Sequence, residues 1–285
     1  MTDTRPPALT ALYVPASRPE LFAKALDSIA DRIILDLEDA VPHARKDAAR
    51  ADAVAWLMRH GPDPRLVVRV NDVGGATGRA DLAALATLGS PAVVRVPKAE
   101  TADELQIVRE TLGDDARIEC LIESALGLEN RAELARAPGV VALALGETDL
   151  MSELGARSPV ILQVARAQLV MAARAAGLPA PMMAVFPDFR DTEGLRRTSA
   201  EGRATGFVGR TAIHPSQLLP IVEAFRPSDA DVEQARRILD GLDGGGAIAT
   251  DDGMIDPAMA GGARRVLELE ELAARAVAEQ PAAQP

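Results

Sequence analysis

Short runs of apolar, β-branched residues recur along most of the chain, and a segment with helical spacing follows each run. Eight such runs can be distinguished, and they cover residues 9–17, 31–39, 65–71, 92–98, 117–124, 140–149, 181–188 and, less clearly, 209–215. Most runs are continuously apolar rather than alternating, which indicates strands buried on both faces. Several of the helical segments end on Gly just before the next run. The pattern therefore predicts eight consecutive β/α units.

Eight such units within about 220 residues are typical of a (β/α)8 barrel, also called a TIM barrel. A doubly wound open sheet has the same alternation and remains the structural alternative. No G-x-G-x-x-G follows the first strand and no G-x-x-x-x-G-K-[ST] occurs, so dinucleotide and P-loop interpretations lose their main support. The Gly-rich segment 71–79 is interpreted as a flexible βα loop. We predict an α/β fold in which residues 1–225 form the catalytic barrel.

The remaining residues, 226–285, break the β/α pattern. Segments 229–242 and 264–280 have amphipathic helical spacing and are predicted to be helices. Between them, residues 244–262 are Gly-rich and acidic without strong periodicity, which is typical of a lid or an arm loop. The barrel is therefore expected to carry a C-terminal helical extension with a lid or arm loop.

The composition narrows the classes of function. The chain has 285 residues, of which 48% are hydrophobic and 2% aromatic, and its formal net charge is -11. This charge argues against nucleic acid or an anionic membrane as the main partner. The single Cys120 excludes a disulfide scaffold and a multi-cysteine metal site. Because neither a signal-peptide pattern nor an apolar run of about 18 residues is present, we expect a soluble cytoplasmic protein.

Polar side chains close most of the predicted strands. Barrel enzymes place their active sites at the carboxyl ends of the strands, and such groups are costly to bury unless they are paired or bind a ligand. Their recurrence at one end of the barrel therefore predicts an enzyme. The polar residues at these ends are Ser17, Arg18, Asp36, Glu38, Asp39, Arg69, Asn71, Lys98, Glu123, Glu147, Asp149, Asp188 and His214.

Two of these residues suggest a metal site. Glu123 and Asp149 end the predicted fifth and sixth strands, which are neighbours in a barrel. Two carboxylates without Cys and with scarce His form an oxygen-only site, which suits Mg2+ or Mn2+ with water and substrate oxygens as the remaining ligands. The alternative is a pair of solvated loop acids.

Arg69, the acidic segment 35–41 and His214 each have a functional and a structural interpretation. Arg69 could hold a substrate carboxylate with two hydrogen bonds, or it could pair with the acidic segment 35–41. That segment could provide further metal ligands, but such clusters more often position Arg and Lys side chains. His214 is interpreted as a structural loop histidine rather than a functional one, and Cys120 as a core residue.

Eight segments together carry a resemblance to a known family. They are YVPASRPELFAKAL, ILDLEDAV, VRVN with GRADLAAL, VPKAE, LIESALGLENRAELA, ALALGETDLMSELG, GRTAIHPSQL and DDGMID. Each is weak alone, but eight in the family's order and spacing, from about residue 10 to about residue 270, are specific. The chain thus resembles the citrate lyase β-subunit family, within the wider HpcH/HpaI aldolase and malyl-CoA lyase group.

The resemblance implies roles for individual residues. Glu123 and Asp149 match the Mg2+ ligands of the family, with Thr148 among the substrate-binding residues. Arg69 matches the arginine that binds the oxo-acid part of the substrate. Asp256 matches an acidic residue on a C-terminal arm, which in malyl-CoA lyase-like relatives reaches the site of a neighbouring subunit.

Further positions are implied to contact the substrate. Arg18 and, less securely, Lys24 match positions that contact the CoA portion, while Ile213 and His214 fall on a segment that lines the same cleft. The implied partner is a small acyl-CoA, or an acyl-carrier protein thioester. The resemblance also suggests a homo-oligomer, namely a trimer.

The implied activity is that of a Mg2+-dependent carbon-carbon lyase. It would cleave a 3-hydroxy-carboxyacyl thioester of the citryl-, malyl- or citramalyl-CoA type into an acetyl thioester and a 2-oxo acid. Alternatives on the same site are an aldolase for free hydroxy-oxo acids and a malyl-CoA thioesterase. An alternative of another class is a β subunit that functions only within a citrate lyase complex.

Overall fold

The structure is a computed structural model that describes residues 8–89, 93–242, 248–250 and 253–278. Eight parallel strands form a closed barrel in which each strand pairs with the next and the last pairs with the first. The strands are β1 (Thr10–Pro15), β2 (Arg32–Asp36), β3 (Leu66–Arg69), β4 (Val93–Val96), β5 (Ile118–Ile122), β6 (Val140–Leu145), β7 (Met182–Met183) and β8 (Gly209–Ala212). The predicted TIM barrel is confirmed, and the closed sheet excludes the doubly wound alternative.

Helices follow the strands and cover the outside of the barrel. They are α1 (Phe22–Leu26), α2 (Lys46–His60), α3 (Ala76–Ala86), α4 (Ala102–Leu112), α5 (Ala125–Glu129), α6 (Arg131–Leu134), α7 (Glu147–Glu153), α8 (Pro159–Ala175), α9 (Thr192–Thr205) and α10 (Leu218–Phe225). Short 3-10 turns at Pro19–Leu21, His43–Arg45 and Pro215–Gln217 precede α1, α2 and α10. Because α3 begins at Ala76, the Gly-rich segment 71–79 is only partly the loop that its composition predicts.

Local sequence signals explain several helix ends. Helix α8 begins where the Ser158 side chain accepts a hydrogen bond from the backbone N–H of Val160, with Pro in the first turn. Thr101 and Glu104 form a reciprocal capping box at the start of α4. Helix α9 ends at Gly206, whose φ of 104° is left-handed and suits a residue without a side chain. The first two signals fix the starts of helices, and the last ends α9 before the chain returns to the barrel at β8.

The apolar residues form two cores in the barrel. The larger one lies between the strands and the surrounding helices and contains Leu, Ile, Val and Ala with a few Phe residues. The smaller one fills the barrel interior, where Tyr13 and Met182 pack against short aliphatic side chains. The low aromatic content agrees with this architecture, because β-branched and aliphatic residues fill such a barrel well.

The C-terminal extension comprises two helices and a short hairpin. They are α11 (Asp229–Leu242), β9 (Ile248–Thr250), β10 (Gly253–Ile255) and α12 (Ala260–Ala278), with a 3-10 turn at Pro257–Met259. Strands β9 and β10 are antiparallel, so the segment predicted to be a loop contains regular structure. The sequence missed this hairpin because its strands have three residues each, too few to show alternation.

Helix α12 packs on the barrel as well as on α11. Its residues Leu269, Leu272, Ala273 and Ala276 belong to the same hydrophobic core as the strands. The predicted boundary between a barrel domain and a C-terminal extension, at residues 225 and 226, stays a prediction. Within the ranges that the structure describes, no helix is long and apolar enough to cross a membrane.

Candidate active site

A cavity of about 380 Å3 opens at the carboxyl ends of the strands and is here called the mouth cavity. Its charged lining contains more carboxylates than guanidinium groups. The charged residues that line it are Asp36, Asp39, Glu123, Glu147, Asp149, Arg69 and Arg95. The structure therefore brings together six of the strand-end residues that the sequence singled out, and it adds Arg95.

Of the two proposed metal ligands, Glu123 is buried and Asp149 is exposed. It follows β5 directly and is 6% exposed, and its Oε1 accepts a hydrogen bond of 2.9 Å from the backbone N–H of Lys98. Lys98 has a φ of 51°, which is unusual for a residue other than Gly and holds that N–H on Glu123. Burial, together with the negative charges of Glu38 and Asp149, raises the pKa of Glu123 to about 7. The burial and the two neighbouring carboxylates thus outweigh the opposing effect of the Arg69 charge on Glu123.

Asp149 lies beside Glu123, but it belongs to a helix and does not end a strand as the sequence predicts. Strand β6 ends at Leu145, and Asp149 and Thr148 lie in the first turn of α7, with their side chains exposed. Gly146 connects the strand to the helix. A Cβ atom at Gly146 would collide with the Cβ and Oε2 of Glu123, so only Gly allows this close approach of the two loops.

Glu147, the neighbour of Thr148, joins α7 to α8. Its two carboxylate oxygens accept hydrogen bonds of 2.7 and 2.6 Å from Nε and Nη2 of Arg166. Both side chains are largely buried, at 13% and 12% exposure. Sequence reasoning missed Arg166, because it lies on a helix 19 positions away and nothing in the sequence pairs the two residues. This paired geometry fixes the helix turn that carries Asp149.

Arg69 is bound on several sides by the acidic segment after β2. Its Nε and Nη2 donate hydrogen bonds of 2.8 and 2.7 Å to the two oxygens of Asp36. Its Nη1 lies 2.8 Å from Glu38 and 3.5 Å from Asp39. Although burial disfavours the charge, the hydrogen bonds to Asp36 and the surrounding negative groups raise the pKa of Arg69. Arg69 therefore pairs with this segment and also lines the cavity.

Glu38 connects Arg69 with Lys98. Lys98 Nζ lies 3.3 Å from Glu38 Oε1, and burial raises the pKa of the Glu38 carboxyl. Glu38 Oε2 has no hydrogen bond within the described part of the chain, so its contact with Arg69 is an ion pair. Lys46 Nζ donates to the backbone carbonyls of Leu37 and Glu38 at 2.9 and 2.7 Å. The segment thus holds three basic side chains in place.

A layer of charged residues continues below the mouth cavity. The Tyr13 ring lies 4.8 Å from the Arg69 guanidinium and 5.4 Å from that of Arg95. Arg95 donates to the Tyr13 hydroxyl at 2.7 Å and to both oxygens of Glu119 at 2.8 and 3.1 Å. Sequence reasoning missed this layer. The signal was available, because Arg95 and Glu119 interrupt apolar strands at paired positions, and paired residues face the same side of the sheet.

The four further positions implied to contact the substrate lie mostly outside the lining of the mouth cavity. Arg18 is exposed and binds Glu20, and Lys24 is exposed on α1. Neither of them lines the cavity, whereas Ile213 does, with 42% of its surface exposed.

His214 caps the short turn that precedes α10. Its Nδ1 accepts a hydrogen bond from the backbone N–H of Ser216 at 3.2 Å and lies 2.7 Å from the Ser216 hydroxyl. Its ring stacks on Phe189 with the ring centres 4.7 Å apart. This is the arrangement of a structural loop histidine. It does not line the mouth cavity.

Asp256 does not line the mouth cavity of its own chain either. Its Oδ1 accepts a hydrogen bond of 2.7 Å from the backbone N–H of Ala258, which caps the 3-10 turn before α12. None of the described residues of the C-terminal extension lines the mouth cavity. That Asp256 reaches the site of a neighbouring subunit stays a prediction.

Comparison with known proteins gives three kinds of match. Residues 9–215 match the family model for HpcH/HpaI aldolase/citrate lyase. A (3S)-malyl-CoA thioesterase of Cereibacter sphaeroides is 38% identical over 235 residues, which is 81% of each chain. A citrate lyase subunit beta-like protein of Mycobacterium tuberculosis is 39% identical over 238 residues, covering 80% of this chain and 82% of that protein.

A solved structure agrees with these matches. The protein CitE from Mycobacterium tuberculosis, in complex with magnesium, acetoacetate and coenzyme A, superposes with a TM-score of 0.81 at 35% identity. The match covers 94% of this chain and 99% of that one. With the barrel, the mouth cavity and the family model in agreement, the chain belongs to the HpcH/HpaI aldolase/citrate lyase family.

Proposed function

We propose that this chain is a Mg2+-dependent carbon-carbon lyase that cleaves a 3-hydroxy-carboxyacyl thioester of the citryl-, malyl- or citramalyl-CoA type. The observation that carries the proposal is the environment of Glu123, a buried carboxyl held by the Lys98 backbone N–H beside Asp149 in a cavity rich in carboxylates. Relatives with solved structures bind magnesium together with oxaloacetate or coenzyme A, which supports the same ligands here.

The residues present fit a magnesium ion. Burial and two neighbouring carboxylates raise the pKa of Glu123 to about 7, and the charge of a divalent cation beside it would offset that shift. No cluster of three or more acidic, His or Cys side chains in the described ranges encloses a metal position. Two protein carboxylates suit Mg2+, which keeps water or substrate oxygens in its other positions. Glu123 and Asp149 would hold the ion, with Thr148 beside the substrate.

The reaction requires one carbon-carbon bond to break. The hydroxyl on carbon 3 loses its proton and becomes the carbonyl of the 2-oxo acid. The electron pair of the bond between carbons 2 and 3 remains on carbon 2, which forms the thioester enolate and then takes up a proton. Bound Mg2+ supplies Lewis acidity that lowers the pKa of the hydroxyl and stabilises negative charge on oxygen.

Arg69 would stabilise the oxo-acid part of the substrate. Its contact with Asp39 is the longest of its ion pairs, at 3.5 Å, and the Asp39 side chain is 67% exposed. A substrate carboxylate could replace Asp39 at this edge while Asp36 keeps the guanidinium oriented through its two hydrogen bonds. A fixed guanidinium at the position where charge develops lowers the barrier without reorganisation.

Asp256 would transfer the proton at carbon 2 from a neighbouring copy of the chain. In its own subunit it caps a turn in the extension, so an assembly, for which we propose a trimer, is needed to bring it to a mouth cavity. To test this idea, the variants Glu123→Gln and Asp256→Asn are produced together so that mixed assemblies form. Mixed assemblies should regain activity that neither variant has alone. If the mixture is as inactive as both parents, Asp256 does not act between subunits.

A thioesterase acting on malyl-CoA is the second candidate. It is favoured by relatives at 38 to 39% identity that carry the name (3S)-malyl-CoA thioesterase. In that reaction water adds to the thioester carbonyl, the carbon-sulfur bond breaks, and the thiol of CoA leaves. The carbon skeleton stays intact.

The decisive assay separates the products of these reactions. The full chain is incubated with citryl-, malyl- and citramalyl-CoA, with Mg2+ or with EDTA, and 2-oxo acid and free CoA thiol are measured independently. Our proposal expects Mg2+-dependent oxo acid together with an acetyl thioester. Free thiol without oxo acid would identify the thioesterase, and cleavage of free hydroxy-oxo acids alone would identify an aldolase. Activity that requires citrate lyase partner subunits would identify a subunit of that complex.

A further inference from the structure

A second cavity, of about 420 Å3, lies at the opposite end of the barrel and is here called the base cavity. Its walls come from the amino-terminal ends of the strands. Arg32 opens β2, residues 179–181 precede β7, and Val208 precedes β8. The proposed reaction uses none of these residues.

Helix α12 covers this cavity. Arg265, Glu268, Leu269 and Leu272 line it, and their spacing of three, one and three positions places them on a single helix face. Leu269 and Leu272 are 7% and 8% exposed, so this face is seated on the barrel. The C-terminal extension therefore encloses a cavity rather than only packing on the outside.

The base cavity has the opposite charge balance to the rest of the protein. The chain carries a net charge of -11, yet guanidinium groups outnumber carboxylates in this lining. The charged residues that line it are Arg32, Arg95, Arg174, Arg265, Glu119 and Glu268. Arg95 is already paired with Glu119 deep in the barrel. The excess of positive charge is thus contributed by the other arginines.

Two of those arginines lie toward the solvent. Arg174 is exposed at the end of α8, and Arg265 is half-buried on α12. Among the described residues, no carboxylate forms an ion pair with either of them. The rest of the lining includes the apolar side chains of Leu178, Leu269 and Leu272, beside the buried pair of Arg95 and Glu119. An apolar cavity with convergent polar groups at one side is the usual form of a small-molecule site.

We propose that the base cavity binds a small organic anion, namely a monocarboxylate with a short aliphatic chain. The carboxylate would lie between the guanidinium groups of Arg174 and Arg265, which suit a planar anion. The aliphatic chain would lie along Leu269 and Leu272. A volume of 420 Å3 suits a compact ligand and falls within the usual range for such sites. This site is separate from the proposed lyase reaction and does not depend on it.

Hexanoate is a suitable probe, and isothermal titration calorimetry of the full chain in EDTA is the measurement. We expect saturable binding with a Kd on the order of 1 mM. The variant Arg265→Gln should weaken binding about five- to tenfold. Its matched control is Arg264→Gln, which makes the same change of charge one position away, on a residue that does not line the cavity. The control should stay within about twofold of the wild type.

Two further measurements identify the cavity and the chemistry. Leu272→Trp should abolish binding by filling the cavity, and hexanamide, which lacks the charge, should bind more weakly than hexanoate. The proposal is overturned if the wild type shows no saturable binding, or if Arg265→Gln and Arg264→Gln bind equally. The paired glutamine variants decide the question even if Leu272→Trp fails to fold.

Discussion

The two ends of this barrel have opposite electrostatic character. At the mouth cavity, five carboxylates face two guanidinium groups, and the buried Glu123 has a pKa raised to about 7. At the base cavity, four guanidinium groups face two carboxylates. A net charge of -11 describes neither end. Because fields at short range depend on the nearest groups, the mouth suits a cation and the base suits an anion.

The two ends also meet inside the barrel. Arg95 and Met182 line both cavities, and the Tyr13 ring links Arg95 to Arg69. The ion pair of Arg95 with Glu119 lies in this shared layer and keeps a buried guanidinium neutralised. The following changes test whether the ends behave independently.

The largest effect is expected at Glu123. Glu123→Gln keeps the shape of the side chain but removes a proposed metal ligand, so kcat/KM should fall by roughly 10³-fold or more. Steady-state kinetics with Mg2+ measure this, and Glu133→Gln on the exposed face of α6 is the matched control. The metal-free variant should be at least as stable as the wild type, because a buried negative charge beside Glu38 and Asp149 is removed. Activity within tenfold of the wild type would contradict the metal assignment.

Arg69→Lys is expected to have the next largest effect. Lysine keeps the charge but loses the two parallel hydrogen bonds to Asp36, so kcat should fall by about 10²-fold. Comparison of kcat with KM in the same assay separates orientation from substrate binding. A change in KM alone would mean that Arg69 contributes uniform binding and not stabilisation of the transition state.

Arg166→Met should act on stability more than on chemistry. It leaves the largely buried Glu147 without a partner, which costs about 2 kcal/mol in the free energy of unfolding. Urea denaturation measures the loss. The double variant Arg166→Met with Glu147→Gln should recover part of it, because the Glu147 carboxylate is no longer buried without a partner. If the double variant is less stable than Arg166→Met, the pair does not fix α7 in the way described.

The smallest effect is expected when a residue of the base cavity is changed and Mg2+ binding at the mouth cavity is measured. Saturating Mg2+ should stabilise the wild type by about 2.7 kcal/mol at one hundred times its Kd. Thermal unfolding should show the same Mg2+ effect in Arg265→Gln and almost none in Glu123→Gln. If Arg265→Gln reduces the Mg2+ effect as strongly as Glu123→Gln does, the two ends are coupled through the layer that contains Arg95.

The eight strands could be predicted because each is a run of apolar residues bounded by turn signals, and such periodicity is a property of the local sequence. The carboxylates of the mouth could be predicted for the same reason, since Asp36 is the last residue of β2 and Glu123 follows β5 directly. For Asp149 the sequence predicts a strand end, because the polar GETD segment continues an apolar run. In the structure a helix begins at Glu147 instead, and Gly146 before it lies close to Glu123.

Three features can be found from the amino-acid sequence alone, namely the order of the β/α units, the family resemblance and the set of acidic residues at one end. Which charges meet depends on the closed barrel. The contacts of Arg69 with Asp36, of Glu147 with Arg166 and of Arg95 with Glu119 join different elements of the barrel. The base cavity likewise exists only because α12, distant in sequence, lies across the start of the strands. Local patterns specify elements, whereas the charge balance of a cavity depends on side chains that closure of the barrel brings together.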